Sequence, residues 1–175
     1  MEPGEALGIA AQIAVALAGF AGVVVVFRRE AVHEWSGIDK LRLRLLLANS
    51  ILPLGLSMLA LVFLTIEPAL PGIWRWCSGV LLVATLSYVI PITKAFRRLD
   101  FQNMRRRPVT RFIFAVFGLF GIAAMLLQVY NFALPGVFWP FFAAIVYQLV
   151  TAMVQFARMI LLLPEYDRTG LRDEN

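Results

Sequence analysis

A chain of 175 residues that is 61% hydrophobic and 15% charged falls outside the composition of soluble domains, which are about half apolar and a quarter charged. Its mean hydropathy of +0.79 makes a bilayer its solvent, and its loops are too short to fold separately, so residues 1–175 are expected to form one transmembrane domain. The net charge of +5 could suit nucleic acid, but the basic residues cluster at the ends of apolar stretches, so the charge reads as a topology signal and nucleic acid is excluded as the expected partner.

A hydrocarbon core about 30 Å thick needs roughly 20 apolar residues of helix. Candidate spans run at about residues 6–27, 43–66, 73–93, 111–131 and 137–163, which predicts an all-α, polytopic bundle of five transmembrane helices. No Lys or Arg precedes the first span, and it is too long for the apolar region of a signal peptide, so it reads as a retained helix. Its Ala10, Ala14, Ala18 and Gly22, spaced by four, predict one small-residue face where another helix packs.

The first link carries His33 between Glu30 and Glu34, a solvated charged segment without the convergent ligands of a metal site. Ser36 and Asp39 then form a helix-start signature, with Trp35 suited to the membrane interface. In the second span Ser50, Pro53 and Ser57 share a face beside Asn49; Pro53 should bend the helix and is the candidate hinge. Cys77 stands alone in the third span, which excludes an intramolecular disulfide and metal-ligand spacing and leaves a packing or lipid-facing role.

Ala69-Leu70-Pro71-Gly72-Ile73-Trp74 recurs 64 residues later as Ala133-Leu134-Pro135-Gly136-Val137-Phe138. At the same offset Ser87 matches Thr151 and Lys94 matches Arg158, so spans two and three are a candidate helical hairpin duplicated, in parallel, as spans four and five. Trp74, Trp76, Tyr130, Phe138, Trp139 and Phe141 gather near these turns as an expected interfacial belt.

Basic residues fall at the other end. Arg28, Arg29, Lys40, Arg42 and Arg44 follow the first span, and Lys94, Arg97, Arg98, Arg105, Arg106, Arg107 and Arg111 surround the link between spans three and four. The positive-inside rule therefore predicts an external N-terminus and a cytoplasmic C-terminus. Arg97, Arg98, Arg105, Arg106 and Arg107 also form a candidate site for anionic lipid headgroups or a partner protein on the cytoplasmic face.

The fourth span places Gly118, Gly121 and Ala124 on roughly one face, followed by Gln128, and predicts close helix packing. The fifth carries Ala144, Gln148, Thr151, Gln155 and Arg158 at intervals of four, three, four and three, which aligns them as a polar seam along one side of the helix. Amides facing lipid would go unsatisfied, so the seam must face protein or water. It can act as interhelical glue, bonding Gln128, Asn49 or Gln12. Alternatively, copies of the fifth span line a pore, with Gln148, Thr151 and Gln155 along it and Arg158 at its mouth.

No span carries a carboxylate or histidine at its middle, and the sequence has no metalloprotease, nucleophile-elbow, phosphate-loop or Cys-x-x-Cys motif. No enzyme, cofactor or metal is expected. The pattern is similar to that of small multispanning inner-membrane proteins of bacteria, which implies a multi-pass protein of the cell inner (plasma) membrane. The expected function is a homo-oligomer forming a passive channel-like conduit lined by the fifth helix. The alternative is a non-catalytic accessory or regulatory membrane subunit whose basic loops bind lipid or a partner protein.

Overall fold

The computed structural model describes residues 1–27, 37–66, 72–103 and 108–161, with the side chains at 27, 38, 39, 95–103, 108–114 and 161 outside that description. Five helices follow one another: α1 (Pro3–Phe27), α2 (Gly37–Leu64), α3 (Ile73–Asn103), α4 (Pro108–Ala133) and α5 (Phe138–Leu161). Pro3 and Pro108 open α1 and α4, where a missing N–H costs no helical bond. All five helices are long and apolar enough to cross a membrane, and the chain is a multi-pass, all-α membrane protein. The helix-start signature at Ser36 and the His33 segment lie outside the described residues.

The helices alternate in direction. Gly4 of α1 lies beside Leu61 near the far end of α2, and Tyr88 late in α3 donates to Asn49 early in α2. Ser78 at the start of α3 meets Asn131 at the end of α4, whereas Trp74 and Phe138 pair the starts of α3 and α5. The α2–α3 and α4–α5 turns therefore share one end of the bundle, the turn end. Lys40, Arg42, Arg44, Lys94 and Arg158 gather toward the other, the basic end. α3 is 31 residues long, roughly 46 Å at 1.5 Å per residue, so it exceeds the hydrocarbon thickness and carries Arg97 and Arg98 on its final turns rather than in a loop.

α5 is the hub and contacts each of the other four helices. Half of its most apolar window is buried, against 11% for α4, so α5 is central and α4 peripheral. The apolar core runs between α1, α2, α3 and α5, through Leu7 and Ala14, Leu46 and Ala60, Cys77 and Leu81, and Phe141 and Ile145. Cys77 is thus a packing residue. On α1 the buried small residues are Ala6, Ala10, Ala11, Ala14 and Ala21, while Ala18 is half-buried and Gly22 is exposed. A spacing of four advances about 400°, so the expected stripe drifts about 40° per step and has left the interface by its fourth member.

Among the described residues, the buried side chains of α4 are two amides, Gln128 and Asn131. Asn131 donates to the Ser78 hydroxyl at 2.8 Å and to the Val137 carbonyl at 3.0 Å, and accepts from the Val137 amide at 2.9 Å. One side chain therefore joins α4, its turn and α3. Gly72 and Gly136, the glycines of the repeated Ala-Leu-Pro-Gly segments, both have positive φ, at 74° and 58°. Both pack against Arg75, whose guanidinium donates to the Leu134 carbonyl at 2.9 Å. The two turns are side by side and share one clamp.

The aromatic residues at this end divide by direction. Trp76, Tyr130 and Trp139 are exposed, as an interfacial belt requires. Trp74, Phe138 and Phe141 instead turn inward; the Trp74 and Phe138 ring centroids are 4.7 Å apart, and Phe138 stacks on Phe142 at 5.2 Å. They fill the bundle at the turn end because α3 and α5 start together there.

Replacing Asn131 by Leu leaves the Ser78 hydroxyl and the Val137 backbone unpaired, and should lower stability by about 1–3 kcal/mol. Gly136→Ala, forced into a left-handed backbone, should cost about 1–2 kcal/mol. Denaturation midpoints in mixed micelles check both, with Gly118→Ala, whose new methyl meets open space, as the reference that shows no loss.

Candidate functional site: a cavity between four helices

The seam forms as a helix of 3.6 residues per turn dictates, and α5 is the most amphipathic of the five helices. Gln148 is 3% exposed, Gln155 6%, and Thr151 and Arg158 9% each. All four expected seam residues thus lie on the buried side of α5. Facing Gln148, Thr151 and Gln155 is a half-open cavity of about 420 Å³ bordered by α2, α3, α4 and α5 of the same chain, within the range of small-molecule sites.

Each helix supplies a distinct part of the wall. α2 contributes Leu45 and Asn49, and α3 contributes a strip from Leu81 through Thr85, Tyr88 and Val89 to Thr93. α4 contributes Phe117, Gly118, Gly121, Ile122, Ala124 and Met125. The α4 small-residue face therefore lines the cavity instead of packing flush against a neighbour. Gly118 has no atom within 4 Å of where a Cβ would stand. Gly121 is the exception, since its Cβ would sit 2.8 Å from the Tyr147 hydroxyl. That clearance lets Tyr147 reach α4 and donate to the Phe117 carbonyl at 2.6 Å.

The glue partners expected for the seam are engaged elsewhere. Gln128 donates to the Pro140 carbonyl at 2.6 Å, Asn49 donates to the Leu45 carbonyl and accepts from Tyr88, and Gln12 is exposed on α1. Gln148 instead donates to the Thr85 hydroxyl over a long 3.4 Å, and Thr151 donates back to the Tyr147 carbonyl of its own helix. The side-chain carbonyl oxygens of Gln148 and Gln155 are both buried without a hydrogen-bond partner. A buried acceptor left in that state costs about 1–3 kcal/mol. Gln128 Oε1 and Ser57 Oγ, away from the cavity, are buried in the same state.

Arg158 continues the seam past the cavity toward the basic end, within electrostatic reach of Arg42 on α2. Pro53 lies on the buried face of α2 with Ser50 and Ser57, and α2 is continuous through it. The Ser50 hydroxyl donates to the Leu46 carbonyl and so does not serve the Asn49 carbonyl that proline frees. Arg105, Arg106 and Arg107 lie outside the described residues, as do the side chains of Arg97 and Arg98. Among the described residues no group of three His, Cys, Asp or Glu converges.

Several members of this site carried no signal as single residues. Thr85, Tyr88 and Tyr147 read as unremarkable positions in apolar helices, and only the seam on α5 showed that something polar had to face it. Pro91 also lies within α3, on an exposed position.

Gly121→Ala should push the Tyr147 hydroxyl off the Phe117 carbonyl and lower stability by about 1 kcal/mol. In a Tyr147→Phe background the same substitution should be nearly silent, so a double-mutant cycle on denaturation midpoints should return a coupling of about 0.5 kcal/mol or more. The chain matches no protein-family model, no curated protein and no solved structure.

Proposed function

We propose that the chain is a non-catalytic protein of the plasma membrane, with its basic end in the cytoplasm, that binds a small molecule in the cavity between α2, α3, α4 and α5. The observation that carries this reading is the cavity of about 420 Å³ itself, onto which Gln148, Thr151 and Gln155 of the α5 seam fall together with Asn49, Thr85 and Tyr88 of the facing helices. Orientation rests on the positive-inside rule, applied to Lys40, Arg42, Arg44 and Lys94 at that end and to the arginines of the α3–α4 region. Duplication of the α2–α3 hairpin as α4–α5 belongs to the same proposal, supported by the shared left-handed glycines, Gly72 and Gly136.

A second reading keeps the seam as the lining of a passive conduit in a homo-oligomer. Burial of Arg158 in line with Gln148, Thr151 and Gln155 favours it, because a pathway needs polar lining to the membrane face. The aromatic packing of Trp74, Phe138 and Phe141 at the turn end favours the binding site, because a pocket needs a closed end.

Native mass spectrometry in mild detergent separates these readings. A single chain favours the pocket; a closed ring of four or more favours the conduit, and Arg158→Glu should then change ion preference in bilayer recordings. Accessibility tests the pocket directly, using the wild-type chain with its single buried Cys77 as the blank. A small water-soluble thiol reagent should label Thr151→Cys and Gln155→Cys, and should leave Val150→Cys, on the exposed side of α5, unlabelled. Absence of labelling at both cavity positions would overturn the pocket.

A further inference from the structure

The cavity is open on one side, and the residues around it fix which side. Its exposed lining residues are Thr93 on α3 and Gly118 and Ile122 on α4, whereas the lining residues of α2 and α5 are buried or half-buried. α3 and α4 therefore frame the opening, and Gly118 and Ile122 stand within the apolar window of α4, Ala115–Ala133. An opening at that depth meets the hydrocarbon of the bilayer. Resting on the pocket reading above, we infer that the ligand is an anionic membrane lipid that lays one hydrocarbon chain into the cavity through its α3–α4 side.

The lining suits a chain. Tyr88 donates to Asn49 and Asn49 to the Leu45 carbonyl, Tyr147 donates to the Phe117 carbonyl, and Thr151 donates to the Tyr147 carbonyl, so these polar groups already have partners within the protein. Leu45, Leu81, Val89, Ile92, Ile122 and Met125 offer hydrocarbon. Lipid supplies no hydrophobic force to draw a chain inward, so binding rests on packing against these side chains and on the head group. The cavity runs from Leu81 to Thr93 on α3, roughly 18 Å at 1.5 Å per residue, which matches the roughly 15 Å of one leaflet's hydrocarbon. Its volume of about 420 Å³ suits one chain, and the open side leaves a second chain in the bilayer.

Charge selects the head group. Arg42 stands one turn beyond Leu45 on α2, and Arg158 one turn beyond Gln155 on α5, each on the side of its helix that lines the cavity. The two arginines lie within electrostatic reach of each other toward the basic end. A phosphate at that interface, with its chain in the cavity below, meets both guanidinium groups, the side chains best suited to phosphate oxygens.

Photocrosslinking of the purified full chain in nanodiscs tests this, with a phosphatidylglycerol carrying a diazirine near the end of one chain as the probe. Mass-spectrometric mapping should find label on Leu81 and Ala144, buried lining residues that a lipid outside the bundle does not reach. Phosphatidylcholine with the same chain should label them several-fold less. Arg42→Gln should lower their labelling by phosphatidylglycerol about fivefold, the weight of one basic residue at a membrane surface, while Arg44→Gln, at an exposed position of the same helix, should leave it nearly unchanged.

Label confined to outward residues such as Leu119 and Leu126, or equal labelling of Leu81 and Ala144 by both lipids, overturns the proposal, as does an equal loss in Arg42→Gln and Arg44→Gln. Failure of the pocket is told apart by the thiol reagent in lipid-free micelles. If Thr151→Cys and Gln155→Cys react there and phosphatidylglycerol does not protect them, the lipid is wrong and the pocket stands. If neither reacts, the pocket reading fails and this inference with it.

Discussion

The architecture depends on one constraint: amide side chains cannot face hydrocarbon. α5 carries two glutamines, a threonine and an arginine along one side of a membrane-spanning helix, and that side has to be covered. Covering it puts α5 in the middle of the bundle, where it touches α1, α2, α3 and α4. The remaining helices then arrange themselves by what they can offer α5. α1 offers small residues and Leu17, α2 its Ser50–Pro53–Ser57 face, and α3 Thr85 and Tyr88.

α4 is joined by a different chemistry. Lipid supplies no hydrophobic force between helices, so a helix with little close apolar packing has to be held by specific contacts. Gln128 on the Pro140 carbonyl, Asn131 on Ser78 and Val137, and Tyr147 on the Phe117 carbonyl provide them. The first two lie near the turn end and the third near the middle. Tyr147 and the amides of α5 face the cavity together with residues of α2, α3 and α4.

Much of the fold was legible because length and apolar content decide whether a helix crosses a membrane. The five expected spans match the observed helices to within a few residues at the turn end, and differ most where charged residues continue a helix beyond the hydrocarbon, as in α2 and α3. The seam was legible because heptad spacing survives any choice of neighbour. What it faces was not, since the opposite wall is assembled from Thr85, Tyr88 and the glycines of α4, which are distant in sequence and individually ordinary. The small-residue stripe of α1 misled at Gly22 because a four-residue spacing is not the period of a helix. Asn131 went unnoticed because an asparagine near a helix end reads as a local polar terminus, and its role depends on Ser78, 53 residues away.

α5 is also the least apolar of the five spans, and it follows the other four in chain order, so it leaves the ribosome after them. Released alone into lipid it would expose Gln148 and Gln155; released beside an assembled α1–α4 it enters a groove already furnished with Thr85 and the Phe117 carbonyl. The polar seam therefore imposes a direction on biogenesis, in which the first four helices act as the receptacle that makes the fifth insertable.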